Sequence, residues 1–244
     1  MNIGPKSYWE NAGAVGYGEA MFGSREVERH VNRRLWRIAV EIGFRLGLTS
    51  GSRVLDLGCG DGAFANQALA PNFAAIDGFD LSEAAIRRAQ ANAAGPHLRF
   101  AARDVARMPL AELGRYDGAF LIGILHHVKP ATPAILRQLR AVTDRVVVLE
   151  PNGNHLMRKL LELTPDYRAA GEDSFRRARL ARLFAEAGYH AVVRRRLNLF
   201  PNFTPRPLFR ALQPLEAAFE ATPLLRALCT VELCGFVAAQ SEPG

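Results

Sequence analysis

The chain is poor in cysteine and lysine, and it has no long apolar run in its 244 residues. Its cysteines, Cys59, Cys229 and Cys234, make neither an even disulfide framework nor a set with metal-ligand spacing, so no disulfide-stapled domain and no metal site is expected. No stretch approaches the ~20 apolar residues that a spanning helix needs. The first residues are polar and glycine-rich and lack a signal-peptide pattern, so a reduced, cytoplasmic setting is expected. Internal repeats and low-complexity tracts are absent too, which excludes a solenoid or a disordered chain.

What remains is a chain that is 49% apolar, long enough for one domain with additions. Its net charge is +7, and the positive charge is almost all arginine. Such a balance suits an anionic partner: nucleic acid, an acidic substrate or a membrane surface.

The most informative stretch is Val54-Leu55-Asp56-Leu57-Gly58-Cys59-Gly60-Asp61-Gly62. Apolar residues around an aspartate predict a buried strand. The D-x-G-x-G that follows predicts a tight turn with few side chains, and a helix can start near Ala63. Strand, glycine turn and helix together bind a nucleoside-type cofactor at the C-terminal end of a parallel strand. The glycines permit positive φ and close approach of a ligand to the main chain. The spacing differs from G-x-G-x-x-G, which feeds a diphosphate to a helix N-terminus.

Three more segments follow in order. Ala75-Ile76-Asp77-Gly78-Phe79-Asp80-Leu81-Ser82 predicts a second strand ending in an acid, where a carboxylate can take two ribose hydroxyls. Asp80 is the better candidate, because Asp77 lies inside the strand. Ser82 then caps a helix over 83–93. A third strand, 97–102, ends in Arg103-Asp104-Val105, and a fourth, 116–122, ends in Gly123-Ile124-Leu125-His126-His127.

Over residues 51 to about 150 this order and spacing resemble the class I S-adenosylmethionine (SAM) dependent methyltransferases, in their small-molecule branch. The resemblance implies an α/β fold: a seven-stranded, mostly parallel Rossmann-like sheet with strand seven antiparallel, helices on both faces and an N-terminal helical cap. It implies SAM as cofactor and S-adenosylhomocysteine as product. The turn residues Asp56, Gly58, Cys59 and Gly60 would meet the amino-acid part of SAM, with the Asp56 carboxylate answering its ammonium. Asp80 and Leu81 would hold the ribose. Asp104 would accept from the adenine amino group, Val105 would pack on the ring, and Ile122 and Gly123 would line the floor.

The acceptor side is read from the strand ends. His126 and His127 follow strand four directly, and a histidine there can act as general base on a hydroxyl, with His126 slightly ahead. Strand five, 145–150, is apolar throughout, as suits a strand buried on both faces. It ends in Glu150, a base if burial raises its pKa. Asn152, Asn154 and His155 crowd the same end and are candidates for binding the acceptor. For one of the pair His126 and His127, capping or ordering the loop is the plainer role.

Residues 1–47 read as an arm and a helix covering the active site, and 48–244 as the core. The arm, 1–23, looks irregular, with aromatic anchors; Tyr8, Trp9 and Tyr17 are lid candidates. An amphipathic helix spans 24–46, with Arg29, Arg33 and Arg37 one turn apart on its polar face. A helix over 174–187 ends at Gly188, and strands are expected at 190–199 and 229–239. Between those strands, 200–228 holds five prolines. Leu208, Leu212, Leu215 and Phe219 would line one helical face, and Thr222-Pro223 would start a second helix. This insertion packs on the core, covers a substrate or gives peripheral membrane contact.

The segment after strand four lacks the Asn/Asp-Pro-Pro-aromatic tetrad common in enzymes that methylate amino groups of bases, so nucleic acid is a disfavoured partner. No metal cluster of the catechol type is expected. The expected function is methyl transfer to a small or lipid-like acceptor, at oxygen, in a biosynthetic pathway. An RNA methyltransferase stays open on charge. So does a SAM-binding protein without methyl transfer, such as a SAM-dependent cyclase. The oligomeric state stays open.

Overall fold

The computed structural model describes residues 5–169, 171 and 173–239. Their centre is a seven-stranded sheet of β1 (Arg53–Leu57), β2 (Ala75–Asp80), β3 (Leu98–Ala102), β4 (Gly118–Ile122), β5 (Arg145–Pro151), β6 (Tyr189–Leu197) and β7 (Val231–Ala238). The order is β3-β2-β1-β4-β5-β7-β6. All pairings are parallel except those of β7, which runs antiparallel to both β5 and β6. The chain winds outward one way from β1 through β2 to β3, and the other way through β4 to β5. The switch point therefore lies between β1 and β4, and a crevice opens beyond their C-terminal ends.

The helices are α1 (Pro5–Val15), α2 (Tyr17–Met21), α3 (Arg25–Arg45), α4 (Glu83–Ala91), α5 (Thr132–Val142), α6 (Leu156–Leu161), α7 (Pro165–Ala169), α8 (Arg177–Glu186), α9 (Arg206–Leu212) and α10 (Glu216–Ala221). They cover both faces, and the pleat divides the core in two. Val54, Phe120 and Val147 point to one face, where they meet Val31, Leu35 and Ile86 of α3 and α4. Leu55, Leu121 and Val148 point to the other, against Ile135, Leu139 and Phe184 of α5 and α8. Burial of this period-two pattern on both sides is what fixes the register. No helix of the described residues is long and apolar enough to cross a membrane.

Several elements differ from expectation. The glycine-rich arm is helical from Pro5, as α1 and α2, with Gly16 at φ 103° between them. Tertiary contact overrides low propensity here: α1 lies on α4, and Gly13 sits so close to Ser82 and Ala85 that a side chain would collide. The helix expected from Ala63 does start there, but after Phe64 it continues as a π-turn, Ala65–Leu69. Both the main-chain and side-chain nitrogens of Asn66 donate to the Gly62 carbonyl, at 2.9 and 2.8 Å. The helix expected from Ser174 begins at Arg177, because the amide and hydroxyl of Ser174 are held by Glu162 instead. β6 ends at Leu197, since Asn198 takes φ 64° and breaks the extended run. In the insertion, α9 buries Phe209 against His30 and Phe200, while Leu208 and Leu215 face outward. After Thr222-Pro223 there is only a 3-10 turn, Leu225–Leu228.

Candidate active site

The turn after β1 is built as its sequence requires. The amides of Gly58 and Cys59 both donate to the Phe79 carbonyl, at 2.8 and 3.1 Å, which ties the turn to β2. Gly58 has φ 76°, and an added Cβ would lie 2.7 Å from Ile124. Gly60 has φ 56°, and its Cβ would run into the Tyr17 ring. Positive φ and close approach both demand glycine at these two positions. Cys59 is buried in the turn, and burial pushes its thiol well above the usual range, so it is not poised as a nucleophile.

Two acids flank the turn. Asp80 is buried and accepts from the Gly60 amide at 3.0 Å and the Ser82 amide at 2.9 Å. Burial raises its pKa, and these amides work against the rise. Asp56 is 1% exposed, and its Oδ2 has no hydrogen-bond partner among the described residues. Burial, with the Asp80 charge added, pushes its pKa up to about 8. A buried carboxylate oxygen without a donor is costly unless a cation or donor arrives. The ammonium of an amino-acid group is such a cation, so the residues present fit SAM at this turn.

The remaining cofactor candidates line the same edge. Leu81 is exposed, while Val105 is buried beneath the β3 exit. Asp104 is partly exposed, and its Oδ1 accepts from the Ala106 amide at 3.0 Å, which leaves Oδ2 on the outer side beside Arg107 at 3.5 Å. Ile122 closes β4, and Gly123 follows at φ 71° with its amide on the Leu149 carbonyl at 2.7 Å.

On the acceptor side, Glu150 and His126 form a buried pair that spacing alone does not reveal. The Glu150 carboxylate accepts from the amides of Leu125 and His126, at 2.8 and 3.2 Å. Its Oε2 also lies 2.7 Å from His126 Nδ1. A proton on Nδ1 directed at the carboxylate makes Nε2 the basic nitrogen. The Cε1 edge of the ring faces Gly123. The His127 ring packs on His126 with centroids 3.8 Å apart and the planes tilted by 42°.

The arm reaches both regions at once. Trp9 meets the His127 ring edge-on at 4.4 Å and the Tyr17 ring at 5.7 Å, and Tyr8 packs on Trp9 at 5.1 Å. Tyr17 stands on the turn after β1: its amide donates to Asp61 at 3.1 Å, and its ring covers Gly60. Burial and the neighbouring Asp80 push its phenol far above the usual value. The signal for this placement was the tyrosine beside glycine in the arm, but no spacing rule links residue 17 to residue 60.

The other strand-five residues are bound up with main chain. Asn152 is fully buried, and its side chain donates to the Cys229 carbonyl at 2.8 Å and accepts from the Asn154 amide at 3.0 Å. Asn154 is exposed, and its Oδ1 accepts from Arg177. His155 Nδ1 accepts from the Arg158 amide at 3.3 Å and so caps α6. Burial lowers the His155 pKa, opposed by a hydrogen bond to the Leu228 main chain.

Residues 27–193 match the model of a family described as a methyltransferase domain. The chain is 33% identical over 122 residues to a ubiquinone biosynthesis O-methyltransferase of Alkalilimnicola ehrlichii, covering 49% of this chain and 46% of that protein. It is 31% identical over 110 residues to O-methyltransferase rstn1 of Aspergillus nomiae, covering 43% and 48%. The chain thus spans about half the length of the curated relatives it matches. Among solved structures, magnesium protoporphyrin IX methyltransferase of Synechocystis, with bound S-adenosylhomocysteine, superposes with a TM-score of 0.59 at 16% identity, over 88% of this chain and 86% of that one. At that identity the likeness is one of fold.

Proposed function

The chain belongs to the methyltransferase domain family, in its class I SAM-dependent form, and we propose that it methylates a hydroxyl of a small, apolar or lipid-like acceptor in a biosynthetic pathway. The observation that carries the choice of oxygen is the Glu150–His126 pair at the ends of β5 and β4, beside the cofactor turn. Two relatives named as O-methyltransferases support it.

SAM supplies a methyl group already activated on a sulfonium. The chain's own residues have three tasks: bind, orient and take a proton. Asp56 holds the ammonium, Asp80 the ribose hydroxyls, and Asp104 with Val105 the adenine. Gly58, Cys59, Gly60, Leu81, Ile122 and Gly123 give the cofactor its shape. Glu150 fixes the tautomer and direction of His126, so that Nε2 can accept the hydroxyl proton as the new bond forms. Glu150 is a positioning residue in this scheme. His127, between His126 and Trp9, carries the aromatic wall of the acceptor site, with Tyr8 and Trp9 as its cover over residues 1–47. Tyr17 closes the cofactor end. Asn152, Asn154 and His155 shape the other wall.

The test is transfer of labelled methyl from SAM to a panel of phenols and aliphatic alcohols, with matched amines as controls. Label on phenols, lost in His126→Ala with SAM affinity kept, supports the reading. Label on amines alone, or full activity in His126→Ala, contradicts it.

A further inference from the structure

Exposed apolar surface is concentrated at one end of the molecule. Fourteen large apolar side chains are exposed among the described residues, and ten of them fall in two stretches, 156–163 and 203–228. Both stretches belong to the acceptor end of the sheet. β5 runs out into the first; β6 runs out into the second, which returns as β7. They are joined there. The Asn152 side chain donates to the Cys229 carbonyl at 2.8 Å, and its amide donates to the Thr230 carbonyl at 2.8 Å. Leu156, the first residue of α6, is 75% exposed, and Leu224, just before the 3-10 turn, is 86% exposed. Side chains that stand so far out in short helical turns are not satisfied by the fold. Grouped apolar exposure of this kind marks a surface that something else covers.

Charge selects the occupant. The second stretch is lashed to α3 by His30–Glu216 at 2.8 Å, Arg210–Glu26 at 2.8 Å and the Arg34–Glu220 pair. Beside these contacts, Arg29 and Arg33 lie exposed on the same helix. A second copy of the chain would bring the same net charge of +7 to the interface. An anionic bilayer offers an apolar interior to the leucines and phosphates to the arginines.

We infer that this end of the molecule docks on an anionic lipid bilayer, with Leu156, Leu160, Leu224 and Leu228 entering the acyl boundary and Arg29 and Arg33 drawn to the headgroups. Docking in this way turns the acceptor end toward the membrane. An apolar acceptor then reaches the Glu150–His126 pair without crossing water. That last consequence rests on the proposed O-methylation; the docking does not.

The test is vesicle flotation of the full chain. It compares phosphatidylcholine vesicles with and without phosphatidylglycerol, at low and high salt, for wild type, Leu156→Ser/Leu224→Ser and Arg29→Gln/Arg33→Gln. SAM affinity serves as the folding control and separates this question from methyl transfer. The wild type is expected to float with anionic vesicles only. The leucine variant should partition at least about tenfold more weakly, and the arginine variant should lose part of the salt dependence. Three results would overturn the inference: no flotation of wild type with either vesicle, flotation of the leucine variant equal to wild type, or wild-type dimers in sedimentation velocity that the leucine variant dissolves.

Discussion

Asp56 and Asp77 stand on adjacent strands one step apart in register, since Asp56 pairs with Gly78. Both are buried, yet their surroundings are opposite. Asp77 faces the N-terminal half of the sheet and is fully engaged. Arg53 reaches it at 2.6 Å, Arg99 at 2.8 Å and the Tyr116 hydroxyl at 2.8 Å. Burial works to raise its pKa, but these donors outweigh it and hold the carboxyl below the usual range. Asp56 faces the C-terminal edge with one oxygen unpartnered, and burial takes its pKa up to about 8. A buried acid neutralised in place belongs to the fold, whereas one left short of donors belongs to a site that awaits a ligand.

The largest effect is expected where a buried carboxylate is engaged and yet serves the chemistry. His126→Ala should lower kcat by about 10²–10⁴-fold with SAM affinity unchanged, read from steady-state methyl transfer and calorimetry. Glu150→Gln keeps the volume and one acceptor oxygen, enough for the His126 amide but not for the Leu125 amide as well, so it should fold with some loss of stability. It should shift the pH profile of kcat rather than abolish activity, which a purely structural role would not do.

Asp77→Ala should cost stability instead. Loss of an acid that holds two arginines and a tyrosine is worth about 2–3 kcal/mol, given the partial exposure of the arginines. Urea unfolding measures it, and SAM affinity should hold. The pH dependence follows in sign. A depressed carboxylate stabilises the fold above its unfolded pKa of about 4 and loses that contribution as pH falls through the lower folded pKa.

Asp56 gives the reverse sign. With its folded pKa raised to about 8, the folded chain keeps a proton that the unfolded chain releases near pH 4, so its contribution falls as pH rises through that window. Asp56→Asn should flatten this slope in unfolding curves taken across the window. An arriving ammonium reverses the preference. Binding of SAM at pH 7 should therefore release up to about one proton, measured by calorimetry in buffers of different ionisation enthalpy, and less in Asp56→Asn. The smallest effect is expected at the rim. Ser82 caps α4 through the Ala85 amide at 3.1 Å, and Ser82→Ala should cost about 1 kcal/mol in unfolding.

Much of the fold is legible in local pattern. The run from Val54 to Gly62 specifies β1 and its turn because a buried strand and a positive-φ glycine turn each restrict residue type. Ser82 announces its helix, and Asp80 is separable from Asp77 by position in the strand alone. The arm reads as irregular because glycine lowers helix propensity, and only packing on α4 supplies the compensation that makes it helical. The Glu150–His126 contact spans 24 residues of sequence and depends on β4 lying beside β5. Sheet order, not spacing, brings them together. In the insertion, apolar periodicity pointed to Leu208 and Leu215, but the prolines shorten the helices and Phe209 takes the inward place.

The most direct measurement is a calorimetric titration of SAM and S-adenosylhomocysteine into wild type and Asp80→Ala. Dissociation constants of about micromolar order are expected for wild type, with a loss of at least about 100-fold in a variant that still unfolds cooperatively well above the assay temperature. Equal affinity in the variant, or no binding to wild type, would contradict the assignment of the β1 turn and the β2 acid as the cofactor site.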